Sequence, residues 1–139
     1  MDRPVTSPHR LVNPATLAPA VGFAHVVVPT SGRTVWLGGQ TGIDEDARVV
    51  GPSLVEQFDR AVANVATALA AAEAAPEHLV SMLICTTDIA AYRSALPELG
   101  EAYRLHLGRH HPATALLGVS ELFDPAALVE LICVAVVPD

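Results

Sequence analysis

Glu130 sits in the run Leu128-Val129-Glu130-Leu131-Ile132, a carboxylate inside an aliphatic stretch. If that stretch is a strand, alternation puts Glu130 on one face with Leu128, Ile132, Val134 and Val136. A carboxylate among aliphatics is costly to bury without partners. One reading is a general acid/base, or a group that orients water in a dry cleft. The other is a solvated strand-end carboxylate, or one paired with a cation at a subunit contact. A second cluster is Arg109-His110-His111-Pro112, where cations suit a helix C-terminus or an anion-recognition patch. His106 and His110 are four apart and could share a helix face, but no third metal ligand accompanies them.

The remaining polar candidates are weaker. His25 stands between Ala24 and Val26, as a satisfied core histidine or a pocket donor. Asn64 borders an apolar helical stripe, where its amide is expected to hold a loop. Cys85 and Cys133 lie far apart in apolar runs without metal-ligand spacing, and read as reduced buried thiols. No phosphate loop, nucleophile elbow, dinucleotide fingerprint or metalloprotease motif is present. Asp44-Glu45-Asp46 lacks the other ligands of a calcium loop.

The elements that would position these residues follow from patterning. Pro4, Pro8, Pro14 and Pro19 make residues 1–22 an extended lead-in. The β-branched runs 24–29 and 33–38 flank Thr30-Ser31-Gly32 and predict a hairpin. Gly38-Gly39-Gln40-Thr41-Gly42 frees the backbone for close approach, and a short strand is expected near Arg48–Val50. Ser53-Leu54-Val55-Glu56 is a capping box, and apolar residues from Leu54 to Ala72 recur at helical spacing, which predicts a helix over 54–74. Strands are predicted at 79–87, 114–120 and 128–137. Asp88 would cap a second helical region to Leu107, kinked or split by Pro97 and Gly100.

The order ββ-α-β-α-ββ is α+β, one domain over residues 1–139, with two helices on one face of a mixed sheet. The strands at 79–87 and 128–137 are apolar on both alternating sets. The face without helices therefore needs a cover, most simply further copies of the chain.

Composition bounds the function. The 139 residues are 51% hydrophobic and 17% charged, the reverse of a disordered chain. Eight Lys and Arg against fifteen Asp and Glu give a net charge of −7, which argues against a nucleic-acid partner. No run is long enough to span a membrane, and no signal peptide opens the chain. The expectation is a cytoplasmic protein.

Taken in order, Gly22-Phe23-Ala24-His25, Leu37-Gly38-Gly39-Gln40-Thr41-Gly42, Gln57 with Asn64-Val65, Asp88, Tyr103, Pro112-Ala113-Thr114, Gly118-Val119 and Leu128-Val129-Glu130-Leu131 resemble the Rid family of reactive intermediate deaminases, also called YjgF. The likeness runs from about Asn13 to Val137. It implies a chorismate-mutase-like fold and a homotrimer with small-molecule clefts between subunits. It also implies cofactor-free, metal-free hydrolysis of enamines and imines to keto compounds and ammonia. Carried over by residue, Glu130 places the attacking water, Gly39-Gln40 form the cleft loop, and Phe23 is the cleft aromatic. Thr114 falls where the family has an arginine that grips a substrate carboxylate. Arg offers a charged bidentate fork and Thr one neutral hydroxyl. Loss of a charged partner in a dry cleft costs about 2–5 kcal/mol. A substrate that lacks the usual carboxylate, or holds it elsewhere, is therefore expected. Arg109 and His111 are candidate substitutes. The alternative is a trimer that binds a small metabolite without turnover, as a sensor or regulatory subunit.

Overall fold

The computed structural model describes residues 6–139. Strand β1 is Arg10–Val12, β2 Val26–Val28, β3 Gly32–Trp36 and β4 Gln40–Thr41. Helix α1 spans Leu54–Ala71, followed by a 3-10 turn at Pro76–His78 and strand β5 at Leu79–Thr86. Helices α2 (Ile89–Ser94) and α3 (Leu96–Leu107) lead to β6 (Ala113–Gly118) and β7 (Val129–Pro138).

Helix α1 starts where its capping residues predict. The Glu56 N–H donates to Ser53 Oγ at 3.2 Å, satisfying one of the first-turn amides. It ends at Ala71, three residues short of the expected end, because Glu73 takes a left-handed φ of 57°. The Glu73 and Ala74 amides then fold back onto the carbonyls of Ala70 and Leu69. The Ala91 N–H donates to Asp88 Oδ1 at 2.9 Å, so Asp88 caps the second helical region. That region is two helices, broken at Ala95. Pro97 sits in the first turn of α3, where it leaves no intrahelical acceptor short of a donor. Gly100 does not interrupt α3.

The main sheet runs β3-β7-β5-β6, with β4 also on β7. The β5–β6 pair is parallel, with α2 and α3 as its crossover, and the other pairs are antiparallel. Two expectations are corrected. The runs 24–29 and 33–38 do not form a hairpin: β2 pairs with β1, inside the presumed lead-in, and β3 pairs with β7. The split expected in the second helical region brings the helices among the described residues to three. Near Arg48–Val50 there is only an isolated bridge between Ile43 and Val49.

Alternation along β7 divides the molecule. Val129, Leu131, Cys133 and Ala135 lie in the core with Phe58, Val62, Val65 and Leu69 of α1 and Leu99 and Tyr103 of α3. A bulge between Leu79 and Ser81 changes the phase of β5, so Leu79 and Met82 both face that core. Glu130, Ile132 and Val134 point the other way. By register they share that face with Leu83 and Cys85 of β5, Ala115 and Leu117 of β6, and Thr34 and Trp36 of β3. No helix among the described residues covers it, and Trp36 is 78%, Leu117 51% and Ile132 40% exposed. This is the bare apolar face the patterning requires.

Two amides fasten α1 to the sheet. Gln57, buried, donates from Nε2 to the carbonyls of Gly51 (3.2 Å) and Ala126 (3.1 Å) and accepts the Leu128 N–H at 2.7 Å. Asn64 donates to the carbonyls of Thr41 (3.1 Å) and Ile43 (2.9 Å), the loop role expected of it. Gly42 packs its Cα on the α1 backbone at Gln57, where a Cβ would collide. Thr86 Oγ1 donates to the Leu128 carbonyl at 2.8 Å, closing the other side of the entry to β7.

Replacing Gln57 by Leu strands three backbone groups, and a buried unsatisfied group costs about 1–3 kcal/mol. Gln57→Leu should lower the free energy of unfolding by about 2–4 kcal/mol in urea titration. A loss below about 0.5 kcal/mol would mean the amide is dispensable.

Candidate functional site

Glu130 and the glycine-rich loop meet. Strand β4 pairs Gln40 with Leu131 and Thr41 with Glu130, which lays the loop before β4 across the Glu130 side chain. A Cβ at Gly39 would collide with the Glu130 carboxylate, so the missing side chain is what seats it. Gln40 turns its Nε2 to the Gly38 carbonyl at 3.1 Å, tightening the loop. Across the sheet, Glu130 is in register with Cys85. Burial first, and then the neighbouring Glu130 charge, raise the Cys85 thiol above its ordinary pKa. Burial pushes Cys133, in the core, up to about 12. Neither thiol is a ready nucleophile at neutral pH.

Phe23 and Thr114 meet elsewhere. Thr114 is in register with Met82, and Met82 with Cys133, so Thr114 lies on the helix-covered face. It lines a cavity of about 530 Å³ between β6, α2 and α3, with Phe23, His111 and Tyr103 also in its walls. The Thr114 hydroxyl donates to the Pro112 carbonyl at 2.8 Å. From Thr114 to Leu117, the β6 residue level with Glu130, is three residues, about 10 Å along the strand. Within one chain Thr114 and Glu130 therefore lie on opposite faces of the sheet.

Arg109 joins neither group directly. It lines a second concavity of about 480 Å³, which shares Phe23 and His111 with the first and is bordered by Asn13 and Leu11. His110 is a structural residue whose ring bonds the Leu79 carbonyl at 2.8 Å. His111 stacks on Tyr103, ring centroids 4.6 Å apart and planes within 14°. Tyr103 donates its hydroxyl to the His110 carbonyl at 2.6 Å, fixing the turn that carries both histidines. His106 pairs with Asp59 at 3.0 Å. Among the described residues no three His, Cys, Asp or Glu side chains are grouped to hold a metal ion. His25 bonds the Ala18 carbonyl at 2.7 Å and meets the Phe23 ring edge to face.

The cavity itself is absent from the sequence reading. Tyr92, Leu96, Leu99 and Tyr103 form an apolar stripe that reads as core, yet part of it faces the cavity. A signal was present. Gly100, in the middle of α3, costs about 1 kcal/mol relative to Ala, and it lines the cavity, as Gly22 does.

Residues 14–137 match the family model of endoribonuclease L-PSP. No match was found among curated proteins. Among solved structures, the Rid-family protein YyfB of Yersinia pestis is 28% identical, with a TM-score of 0.84 over 93% of this chain and 98% of its own. Rv2704 of Mycobacterium tuberculosis, of the YjgF/YER057c/UK114 family, is 30% identical, with a TM-score of 0.61 over 84% of this chain and 88% of its own. RidA of an Antarctic Psychrobacter, 22% identical, shares the fold with a TM-score of 0.65 over 91% and 98% of the two chains.

Burial lowers the pKa of both His110 and His111 below the ordinary 6.5. For His111 the charges of His110 and Arg104 add to the effect, and for His110 the bond to Leu79 opposes it. The unfolded chain then takes up protons near pH 6.5 that the folded chain resists, so this stabilisation is present above that pH and lost below it. The thermal midpoint should fall between about pH 7 and 5. His111→Phe, which keeps a stacked ring, should make the fall shallower, and an unchanged slope would remove His111 from the account.

Proposed function

The chain belongs to the endoribonuclease L-PSP family, which includes the Rid and YjgF proteins, and from that membership we propose a small-molecule hydrolase for imines, enamines or related reactive metabolites, acting at clefts between the subunits of a homotrimer. The observation that carries the reading is the Glu130 carboxylate, seated against Gly39 on an apolar sheet face that no helix covers. A second copy laid on that face would exclude water around Glu130 and raise its effect on a reacting group. It would also bring a partner's edge toward it. That matters because Thr114 and Phe23 of the same chain lie behind the sheet.

In the proposed reaction Glu130 accepts a proton from water as the water oxygen attacks the C=N carbon. The C=N electron pair moves to nitrogen, which takes a proton. The carbinolamine then collapses, forming C=O and releasing ammonia. An enamine first gains a proton at carbon and gives one up from nitrogen to become the imine. Gly39 and Gln40 border the reacting group, and Phe23 and Thr114 of the adjoining copy, with its Arg109 nearby, contact the rest of the substrate. No cofactor or metal is required. The expected setting is cytoplasmic, in keeping with two unpaired cysteines, and no helix among the described residues is long and apolar enough to cross a membrane.

One observation favours the second reading, a trimer that binds a metabolite without turnover. The Thr114 hydroxyl is committed to Pro112, and among the described residues no cation lines the cavity where the family has its arginine. Cleavage of RNA, which the family description suggests, fits poorly with a net charge of −7.

The test generates imines with a carboxylate from amino acids and an amino-acid oxidase, and imines without one from amines and an amine oxidase, and measures semicarbazone formation. The protein should suppress it in proportion to its concentration. Glu130→Gln and Gly39→Ala should each reduce that suppression at least about ten-fold, near the scale of a lost acid/base group. Suppression unchanged in Glu130→Gln would sink the mechanism, and none with any imine would favour the binding reading. Light scattering should give a mass three times the 14.5 kDa chain. Ile132→Asp should shift it toward one chain, and a wild-type monomer would contradict the assembly.

A further inference from the structure

The cavity behind the sheet has a chemical character of its own. Its walls include the rings of Phe23, Phe58, Tyr92 and Tyr103, and no lining residue carries a full charge at neutral pH. Phe58 and Tyr92 meet edge to face at 6.1 Å, and Tyr103 and His111 stack, so the aromatic walls are braced by each other. At about 530 Å³ it lies within the usual range for small-molecule sites. Its polar groups are few. The Tyr103 and Thr114 hydroxyls are spent on the carbonyls of His110 and Pro112. The Tyr92 hydroxyl and the His111 ring nitrogens make no hydrogen bond to the described residues, which leaves a donor and an acceptor for a neutral ligand.

The nearest cations stand outside. Arg104 is exposed and lies along the Gly100 stretch of α3, and Arg109 belongs to the neighbouring concavity. A carboxylate placed inside would lose its hydration and meet no full charge in the lining, with Arg104 acting on His111 only from the rim, which disfavours it. An uncharged ring loses little hydration and gains stacking against aromatic walls.

We propose that this cavity binds an uncharged, ring-bearing small molecule, held by the aromatic walls and by hydrogen bonds to Tyr92 and His111, and that it discriminates against carboxylates. This deepens the reading above and rests on it in taking Phe23 and Thr114 as substrate contacts.

The test uses the full chain at pH 7.5, two probes sharing one ring system, indole and indole-3-acetate, and NMR of methyl-labelled protein. Indole should shift the methyl signals of Ile84, Leu99 and Leu116 saturably, and indole-3-acetate should bind at least about ten-fold more weakly, a difference of about 1.4 kcal/mol. Leu99→Trp should fill the space and abolish indole binding. Thr114→Arg, which adds a cation to the wall, should narrow or reverse the preference. Carboxylate binding as tight as indole, or no saturable shift with indole, would overturn the proposal. Indole binding with no imine hydrolysis would remove the catalytic reading and keep this one. Hydrolysis of carboxylate-bearing imines with the cavity signals unmoved would do the reverse.

Discussion

The Gln57 side chain is one amide with three hydrogen bonds, and the geometry of the sheet depends on it. Its carbonyl oxygen holds the Leu128 N–H and its amino group holds the carbonyls of Gly51 and Ala126, so one turn of α1 fixes both the loop that enters the helix and the loop that enters β7. Strand β7 is the centre of the sheet, flanked by β3 and β4 on one edge and β5 on the other. A slip of one residue at its start would turn Val129 and Leu131 outward and Glu130 into the core. The amide opposes that slip because its partners exist only in the native register. Thr86 Oγ1 on the Leu128 carbonyl gives the same residue a second tie.

With the register held, the pleat of β7 sorts hydrophobicity from chemistry. The inward residues make the core with α1 and α3, and the outward ones put Glu130 among Ile132, Val134 and Cys85. A carboxylate there costs little while water reaches it. Its surroundings are nonetheless those of an interface, because Trp36 and Leu117 expose apolar area on the same face. In the trimer proposed above, covering that face would stabilise the assembly through the aliphatics and perturb the carboxylate, one event with two consequences. Asn64 adds the remaining constraint. By holding the Thr41 and Ile43 carbonyls it keeps β4, and so Gly39, against Glu130.

The sequence is informative where structure is local. The α1 cap, the Asp88 cap and the apolar periods of β5 and β7 are set by neighbours within a few residues, and they stand where the residues place them. It is uninformative where partners are distant. The β-branched run at 26–28 announces a strand and says nothing of whether Arg33 or Arg10 lies beside it. The prolines around Arg10–Val12 hide the strand that does. The bulge after Leu79 likewise leaves no mark in the apolar pattern, although it decides which residues of β5 face α1. The site divides in the same way. That Glu130 points away from Val129 and Leu131 follows from alternation. That Thr114 points to the opposite side follows only from the parallel register of β6 on β5, a relation between residues some thirty positions apart in the chain.

That division gives the threonine its meaning. On a solvated sheet face, replacing an arginine would remove one charge among mobile waters. Behind the sheet it leaves an apolar space whose nearest hydroxyl already serves the backbone at Pro112. A site that loses its only charge in such a place gains selectivity of the opposite sense, since dehydration penalises ions far more than neutral rings. The retained carboxylate and the lost cation are thus independent changes on two faces. In the function proposed above, chemistry at Glu130 can persist while recognition behind the sheet moves to another class of molecule, because the contacts that seat Glu130 run through Gln57, Asn64 and Gly39, and none passes through Thr114.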